Sequence, residues 1–216
     1  MKKSLCALVL LVFAGTLTAN AGTIVLNFAG LQNLEPIGSY YAGGLGGFGS
    51  GPGPTYGITF GPDSLAIICA PAGGTGNCQY NPGVNVAFFL SGAGDVMDIP
   101  AGFTTGFSFF YAASQVGSVN VYSGLDGTGS VLASLPLPVT GGYCNSSYYY
   151  SCWAPVGVTF AGTADSVVFT GAANYIGFAD ITLGSNNPGT PEPGTLALFG
   201  TAAVAVGGIL RRKLNL

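Results

Sequence analysis

Apolar and polar positions alternate with a period of two in several short runs of this chain, and helical periodicity is missing between residues 22 and 190. Within 104–112, Phe107, Phe109 and Tyr111 share one face while Ser108 and Phe110 take the other. Within 118–123, Val119 and Val121 oppose Asn120 and Tyr122. Short runs of this kind, rich in Val, Ile, Phe, Tyr and Thr and punctuated by Gly, Pro, Asn and Asp, predict strands. They cover 23–29, 56–60, 64–70, 84–90, 95–99, 104–112, 118–123, 130–135, 156–160, 166–170 and 175–183. Leu125-Asp126-Gly127-Thr128-Gly129 reads as a hairpin turn with glycine available for positive φ. Strands with no helices between them predict an all-β fold, two antiparallel sheets packed as a sandwich.

Two segments break this pattern. At the start, Lys2 and Lys3 precede an apolar run over 5–17 and an Ala19-Asn20-Ala21 exit. That is the layout of a signal peptide, a signal helix over 1–21 with the mature chain beginning at Gly22. Residues 195–210 form a second apolar run of 16 residues, followed by Arg211, Arg212 and Lys213. As a helix this run is about 24 Å long, marginal against a hydrocarbon core of about 30 Å. The basic cluster stays cytoplasmic by the positive-inside rule, which puts the body of the chain on the far side of the inner membrane. Pro191-Glu192-Pro193 directly before the run serves neither helix propagation nor anchoring. Residues 185–190 (Ser-Asn-Asn-Pro-Gly-Thr) read as a linker between a 22–184 domain and this tail.

Charge is distributed just as unevenly. All five Lys and Arg lie in the two end segments, so residues 22–190 hold no Lys, Arg or His while seven acids remain. An imidazole base, a Schiff-base lysine and a guanidinium clamp are therefore excluded from that region. A body with only negative charge is repelled by nucleic acid. Four cysteines remain after Gly22, and an even number in an exported chain argues for disulfides, with three connectivities open. Proximity favours Cys69–Cys78 and Cys144–Cys152, each worth about 2–3 kcal/mol in the chain-entropy account. CxxC spacing is absent, so neither redox catalysis nor a thiolate metal site is supported.

Candidate chemistry concentrates in 143–153, Tyr-Cys-Asn-Ser-Ser-Tyr-Tyr-Tyr-Ser-Cys-Trp, which contains the one Trp of the chain. Tyr148, Tyr149, Tyr150 and Trp153 form a possible platform for stacking on sugar rings, with packing over the end of the sandwich as the alternative. Asp95 and Asp98 are close in sequence, but at i, i+3 in a strand they point to opposite faces and make a poor acid–nucleophile pair. No cofactor is expected; structural calcium on Asp95, Asp98, Asp126 or Asp180 competes with a reading of solvated turn acids. The Gly-rich stretch 43–54 contains a G-x-G-x-x-G at Gly44, Gly46 and Gly49, yet proline follows where a helix is required. It is expected to be a flexible loop.

Pro191-Glu192-Pro193, the apolar run and the Arg211-Arg212-Lys213 end resemble the PEP-CTERM sorting signal of Gram-negative bacteria. That resemblance implies a protease of exosortase type as partner, anchorage in the inner membrane before processing, and a final place at the cell surface or outside the cell. A second resemblance covers 106–184, through Gly-Phe-Ser-Phe-Phe-Tyr, Val-Asn-Val-Tyr-Ser-Gly-Leu-Asp-Gly-Thr-Gly and Tyr-Ile-Gly-Phe-Ala-Asp-Ile-Thr-Leu. It is similar to jelly-roll, galactose-binding-like and carbohydrate-binding sandwiches. Many such modules carry two adjacent acids in the last strand, where this chain has Ala179 and Asp180. The combined expectation is an exported, non-catalytic surface or matrix protein. A carbohydrate-binding module recognising exopolysaccharide is the alternative, and a secreted glycan-active hydrolase a more distant one.

Overall fold

The computed structural model describes residues 22–81, 83–144 and 146–189. The signal helix, Asn145 and the 190–216 segment, with its expected apolar helix, lie outside the described residues. Among the described residues no helix is long and apolar enough to cross a membrane.

The described residues form ten strands: β1 Ile24–Leu26, β2 Glu35–Pro36, β3 Thr59–Phe60, β4 Ser64–Ile68, β5 Asn85–Phe89, β6 Gly94–Ala113, β7 Gly117–Tyr122, β8 Val131–Leu137, β9 Ala154–Gly171 and β10 Ile176–Leu183. All pair antiparallel, in the order β2-β4-β5-β10-β6-β9-β7-β8, with β1 added to β10 and β3 to β6. The expected all-β, sandwich-like architecture is therefore present, and the main departure lies in β6 and β9. Each was expected to be two strands, because Pro100-Ala101-Gly102 and Ala161-Gly162-Thr163 look like chain breaks. Instead each is one long strand bent at its glycine, Gly102 at φ 67° and Gly162 at φ 93°. Left-handed backbone costs glycine nothing. The bends sit beside the register shifts around Phe103.

The bends make a folded sheet out of a flat one. Beyond them Phe103–Tyr111 pairs with Ala154–Ala164 and with β10, while before them Gly94–Asp98 pairs with Ser166–Thr170. Two layers face each other across buried Phe107 and Phe109 from one side and Phe169 from the other. Their rings meet edge-on, with centroids 6.2 Å apart for Phe109–Phe169 and 4.8 Å for Phe169–Phe178. Val119, Val121, Leu135 and Leu137 complete the second layer, as the alternation in β7 requires. Asp126, at φ 54°, and Gly127 turn the chain between β7 and β8 as the sequence predicts.

The Gly-rich stretch is not a free loop. It is bridged at its neck by Ala42 and Thr55 and laced inside by Gly43 N–H to Pro54 O (2.9 Å), Gly46 N–H to Ser50 O (2.8 Å) and Gly53 N–H to Gly44 O (3.0 Å). What it wraps is Glu35, wholly buried at 0% exposure. The Glu35 carboxylate accepts the N–H groups of Gln32 (2.6 Å), Phe48 (2.9 Å) and Ser50 (3.1 Å). A β-carbon at Gly46 or Gly47 would strike the Glu35 carboxylate or Pro36. Glycine is needed here for close approach, not for mobility.

Residues 185–189 do not hang free either. Ser108 Oγ donates to Ser185 O (2.9 Å), and Gly189 N–H donates to Thr182 Oγ1 (2.9 Å). A β-carbon at Gly106 or Gly157 would run into the Asn186 backbone. The expected linker is thus a strap laid on the outer face of the sheet, in line with Ser108 and Thr182.

Candidate functional site

The outer face of β4, β5 and β10 carries apolar residues where a half-exposed sheet normally carries polar ones. Ile67, Val86 and Ala179 point away from the Phe109 core and are covered by Cys69, Cys78, Tyr80, Phe110, Tyr150 and Trp153 in a second, smaller cluster. The cover is built from two disulfide loops. Cys69 bonds Cys78 and Cys144 bonds Cys152, with Cα separations of 4.9 and 5.1 Å, the pairing that sequence proximity favours. The loops are zipped together through a parallel bridge between Cys78 and Tyr150. Tyr150 N–H donates to Asn77 O (3.0 Å), Gln79 N–H to Tyr150 O (3.1 Å) and Tyr149 N–H to Asn77 Oδ1 (3.1 Å).

Trp153 is anchored inside this cover. Its Nε1–H donates to Gln79 O (2.9 Å), and its ring packs at 4.7 Å on Tyr80. Its far edge lies over Gly177, where a β-carbon would come within 3.2 Å of Cη2. Tyr80 donates its hydroxyl to Asp180 Oδ2 (2.6 Å). Burial pushes the Asp180 carboxyl up and Tyr80's hydrogen bond pulls it back, with the upward push prevailing; burial and the Asp180 charge push Tyr80 up as well. The bulge that shifts the β10 register between Ala179 and Thr182 places Asp180, at φ 46°, inside the fold, so it serves packing rather than a surface site.

Beside Trp153 lies a groove of about 340 Å³. Trp153, Tyr150, Tyr175 and Phe88 supply rings to it; Asn77, Asn174 and Thr75 supply amides and a hydroxyl. Among the described residues its lining contains no charged side chain. Tyr175 is 44% exposed. Tyr150 is fixed by its hydroxyl, shared with Ser114 Oγ at 2.9 Å and donated to Asn174 O at 3.3 Å. Of the four residues expected to form the platform, Trp153 and Tyr150 line the groove. Tyr149 instead packs edge-on between Tyr143 and Tyr150, both at 5.2 Å, and Tyr148 bonds its N–H to Ser146 Oγ (3.1 Å). Tyr175, Asn77 and Asn174 were not anticipated; the one sequence signal for them is an Asn or Tyr beside a strand end.

The carboxylates do not assemble. Asp95 points inward on β6 and accepts the Ser64 hydroxyl, while Asp98, on the opposite face, accepts Asp126 N–H (2.8 Å). Among the described residues no group of three or more His, Cys, Asp and Glu stands close enough to hold a metal ion. Burial, with a smaller push from Asp63, raises the Asp95 carboxyl to about 6 against its ordinary 3.8. The raised value means the native state holds a proton that the unfolded chain releases, so this group favours folding below pH 3.8 and progressively less as pH climbs to about 6. Asp95→Asn keeps an acceptor for Ser64 and removes the charge. It is expected to raise the melting temperature by roughly 3–6 °C above pH 6, a gain that vanishes below pH 4. Thermal unfolding followed by circular dichroism across pH 3–8 checks this.

No curated protein matches the chain. Among solved structures it is similar to a β-1,3-glucan-binding family 6 carbohydrate-binding module from Bacillus halodurans, at 16% identity and a TM-score of 0.40 over 57% of this chain and 87% of that one. It is similar to a carbohydrate-binding module of a Cellvibrio mixtus lichenase, solved with cellotriose, at 16% identity and a TM-score of 0.34 over 57% and 87%. It is also similar to a cleaved adhesin domain of Lys-gingipain from Porphyromonas gingivalis, at 14% identity and a TM-score of 0.36 over 60% and 98%. Residues 189–213 match the PEP-CTERM protein-sorting motif, the segment in which Pro191-Glu192-Pro193 precedes an apolar run and a basic end. The chain therefore carries a PEP-CTERM sorting motif, and is by that mark a secreted, membrane-transiting protein.

Proposed function

We propose that this is a non-catalytic surface or matrix protein that holds a neutral polysaccharide in the groove beside Trp153. The single observation that carries this reading is the groove's lining, four aromatic residues with amides and a hydroxyl and, among the described residues, no charge. Sugar rings present apolar C–H faces and a rim of hydroxyls, the two features that aromatic platforms and amides complement. A phosphorylated or carboxylated ligand would lack a cation, since residues 22–190 contain no Lys, Arg or His. The separation of Asp95 from Asp98 onto opposite faces weighs against glycoside cleavage by that pair.

We read the sandwich as jelly-roll, galactose-binding-like in type, with the mature domain running from residue 22 through the strap at 185–189. In the same reading the apolar tail holds the domain on the periplasmic side of the inner membrane until an exosortase-type protease acts. Release into, or display on, an exopolysaccharide layer follows.

A neutral-glycan array probed with the processed protein tests the reading, with Tyr175→Ala as control. Tyr175 is chosen because its ring is half exposed while its fold contact, the carbonyl that accepts Ser114 N–H, belongs to the backbone. Removing the ring is expected to weaken retention about tenfold, the equivalent of about 1.4 kcal/mol. Retention of no glycan, or identical retention by the folded variant, ends the proposal.

A further inference from the structure

A second concavity lies where β1, the Gly-rich loop and the strap meet. Its floor is the outer face of β1 and its extension, with Thr23, Val25 and Asn27; Tyr56 rises on one side and Asn187 on the other. At about 840 Å³ it is larger than the groove beside Trp153 at about 340 Å³, and among the described residues it too is lined by no charged side chain. Tyr56 is 41% exposed.

What stands behind Tyr56 makes it a prepared surface. Tyr41 lies nearly parallel to it, at 10° and 6.3 Å. Tyr41 is itself wedged edge-on against Phe28 (5.9 Å) and Tyr40 (5.2 Å), and its hydroxyl accepts Phe28 N–H at 2.6 Å. The opposite wall is equally fixed, by the Ser108–Ser185 and Thr182–Gly189 hydrogen bonds that hold the strap. A ring on a rigid aromatic backing, facing amides across a neutral cleft, loses little entropy on binding.

We propose that this cleft is a second saccharide site, in which a neutral sugar ring stacks on Tyr56 and its hydroxyls bond Asn27, Asn187 and Thr23. The inference rests on the saccharide reading of the Trp153 groove, because both places repeat one composition: a half-exposed Tyr, amides, a hydroxyl and no charge. The two sites share one face of the sheet. Ser108, which holds the strap, and Phe110, which packs on Tyr80, point away from Phe107 and Phe109. The two sites lie towards opposite ends of β10, at Ile176 and at Thr182, a separation of about 20 Å along the strand. A short oligosaccharide occupies each site separately, whereas a long chain engages both and gains avidity. Thr23 and Gly189 both border the cleft, so the proposal is made for the protein processed at both ends.

Titration calorimetry on the processed protein tests this, using cellotetraose, laminaritetraose and tetrasaccharides cut from the producing cell's exopolysaccharide. The expected stoichiometry is two per chain, falling to one in Tyr56→Ala, to one in Tyr175→Ala and to none in the double variant. Tyr56→Phe keeps two, since the ring remains. Tyr56→Leu, which keeps apolar bulk without the ring, replaces Tyr56→Ala if the alanine variant does not fold. On the intact polysaccharide each single variant is expected to lose about a hundredfold in apparent affinity. A stoichiometry of one that Tyr175→Ala abolishes and Tyr56→Ala leaves untouched overturns the second site alone. A stoichiometry of one with the opposite dependence overturns the Trp153 groove and leaves this cleft standing. No binding of any probe overturns both.

Discussion

Replacing Glu35 with alanine is expected to lower folding stability by about 3–5 kcal/mol. The carboxylate is fully buried and is the acceptor for three backbone N–H groups, those of Gln32, Phe48 and Ser50. Alanine leaves all three donors dry and unpaired, at about 1–3 kcal/mol each before the loop relaxes and lets water in. Glu35→Gln separates charge from geometry: its amide oxygen keeps part of the network while its NH₂ meets an N–H donor, so about 1–2 kcal/mol is expected. Urea unfolding monitored by tyrosine and tryptophan fluorescence reads both, as a fall in midpoint at unchanged slope. The pH dependence has a definite sign. Burial pushes the Glu35 carboxyl up, but the N–H groups of Gln32, Ser50 and Phe48 and the Ser50 hydroxyl outweigh it and hold the group below its ordinary 4.5. Its contribution is therefore complete above pH 4.5 and is lost as pH falls through the lower folded value. Glu35 and Asp95 thus act in opposite directions on an acid titration. The Asp95→Asn variant isolates the first effect and Glu35→Gln the second.

The period-two pattern named the faces of β6 and β7 correctly because alternation is a property of the strand itself and needs no partner. Phe107, Phe109, Val119 and Val121 are all inside, as their spacing predicts. Strand ends were harder. Pro100-Ala101-Gly102 and Ala161-Gly162-Thr163 look like terminations, yet Phe103 pairs with Ala164 across the bend, so the two glycines turn strands that continue. A glycine in isolation is the same residue whether it ends a strand or bends one; the partner across the ladder decides. β2 is two residues long and carries no periodic signal at all. Glu35 acquires its role from N–H groups at Phe48 and Ser50, in a loop whose glycines suggested mobility and in fact permit contact.

The site was legible only where its residues are neighbours in sequence. The disulfide loop 144–152 draws attention to Tyr150 and Trp153, and both line the groove. The rest of the groove comes from Thr75 and Asn77 in the other disulfide loop and from Asn174 and Tyr175 ahead of β10. These are joined by the Cys78–Tyr150 bridge and by the pairing of Phe178 with Ala87 across β10 and β5. Long-range register of this kind is set by the folded sheet and leaves no mark on composition. The cleft under Tyr56 was hidden for a similar reason, since its walls come from residues 54–56 and 185–189, over a hundred positions apart in the chain.

Trp153→Ala is the second substitution with a large expected effect, and it divides packing from recognition. Truncating this half-buried ring removes its contact with Tyr80 at 4.7 Å, leaves Gln79 O without the indole donor and opens the Tyr80–Asp180 pair to water. Buried Trp→Ala changes cost about 3–5 kcal/mol, and partial exposure brings this one to about 2–4, or roughly 5–15 °C in melting temperature. Trp153→Phe keeps a ring against Tyr80 but loses the indole N–H and the outer edge that covers Gly177, so about 1–2 kcal/mol is expected. Glycan retention by Trp153→Ala alone is ambiguous, because the wall of the groove falls with the fold. The comparison that decides is Trp153→Phe against Tyr175→Ala, both of which spare the cluster around Tyr80. If Tyr175→Ala loses retention while Trp153→Phe keeps it, the exposed Tyr175 ring meets the sugar and Trp153 chiefly holds the outer face together. If Trp153→Phe loses retention while still folded at the assay temperature, the indole itself touches the ligand.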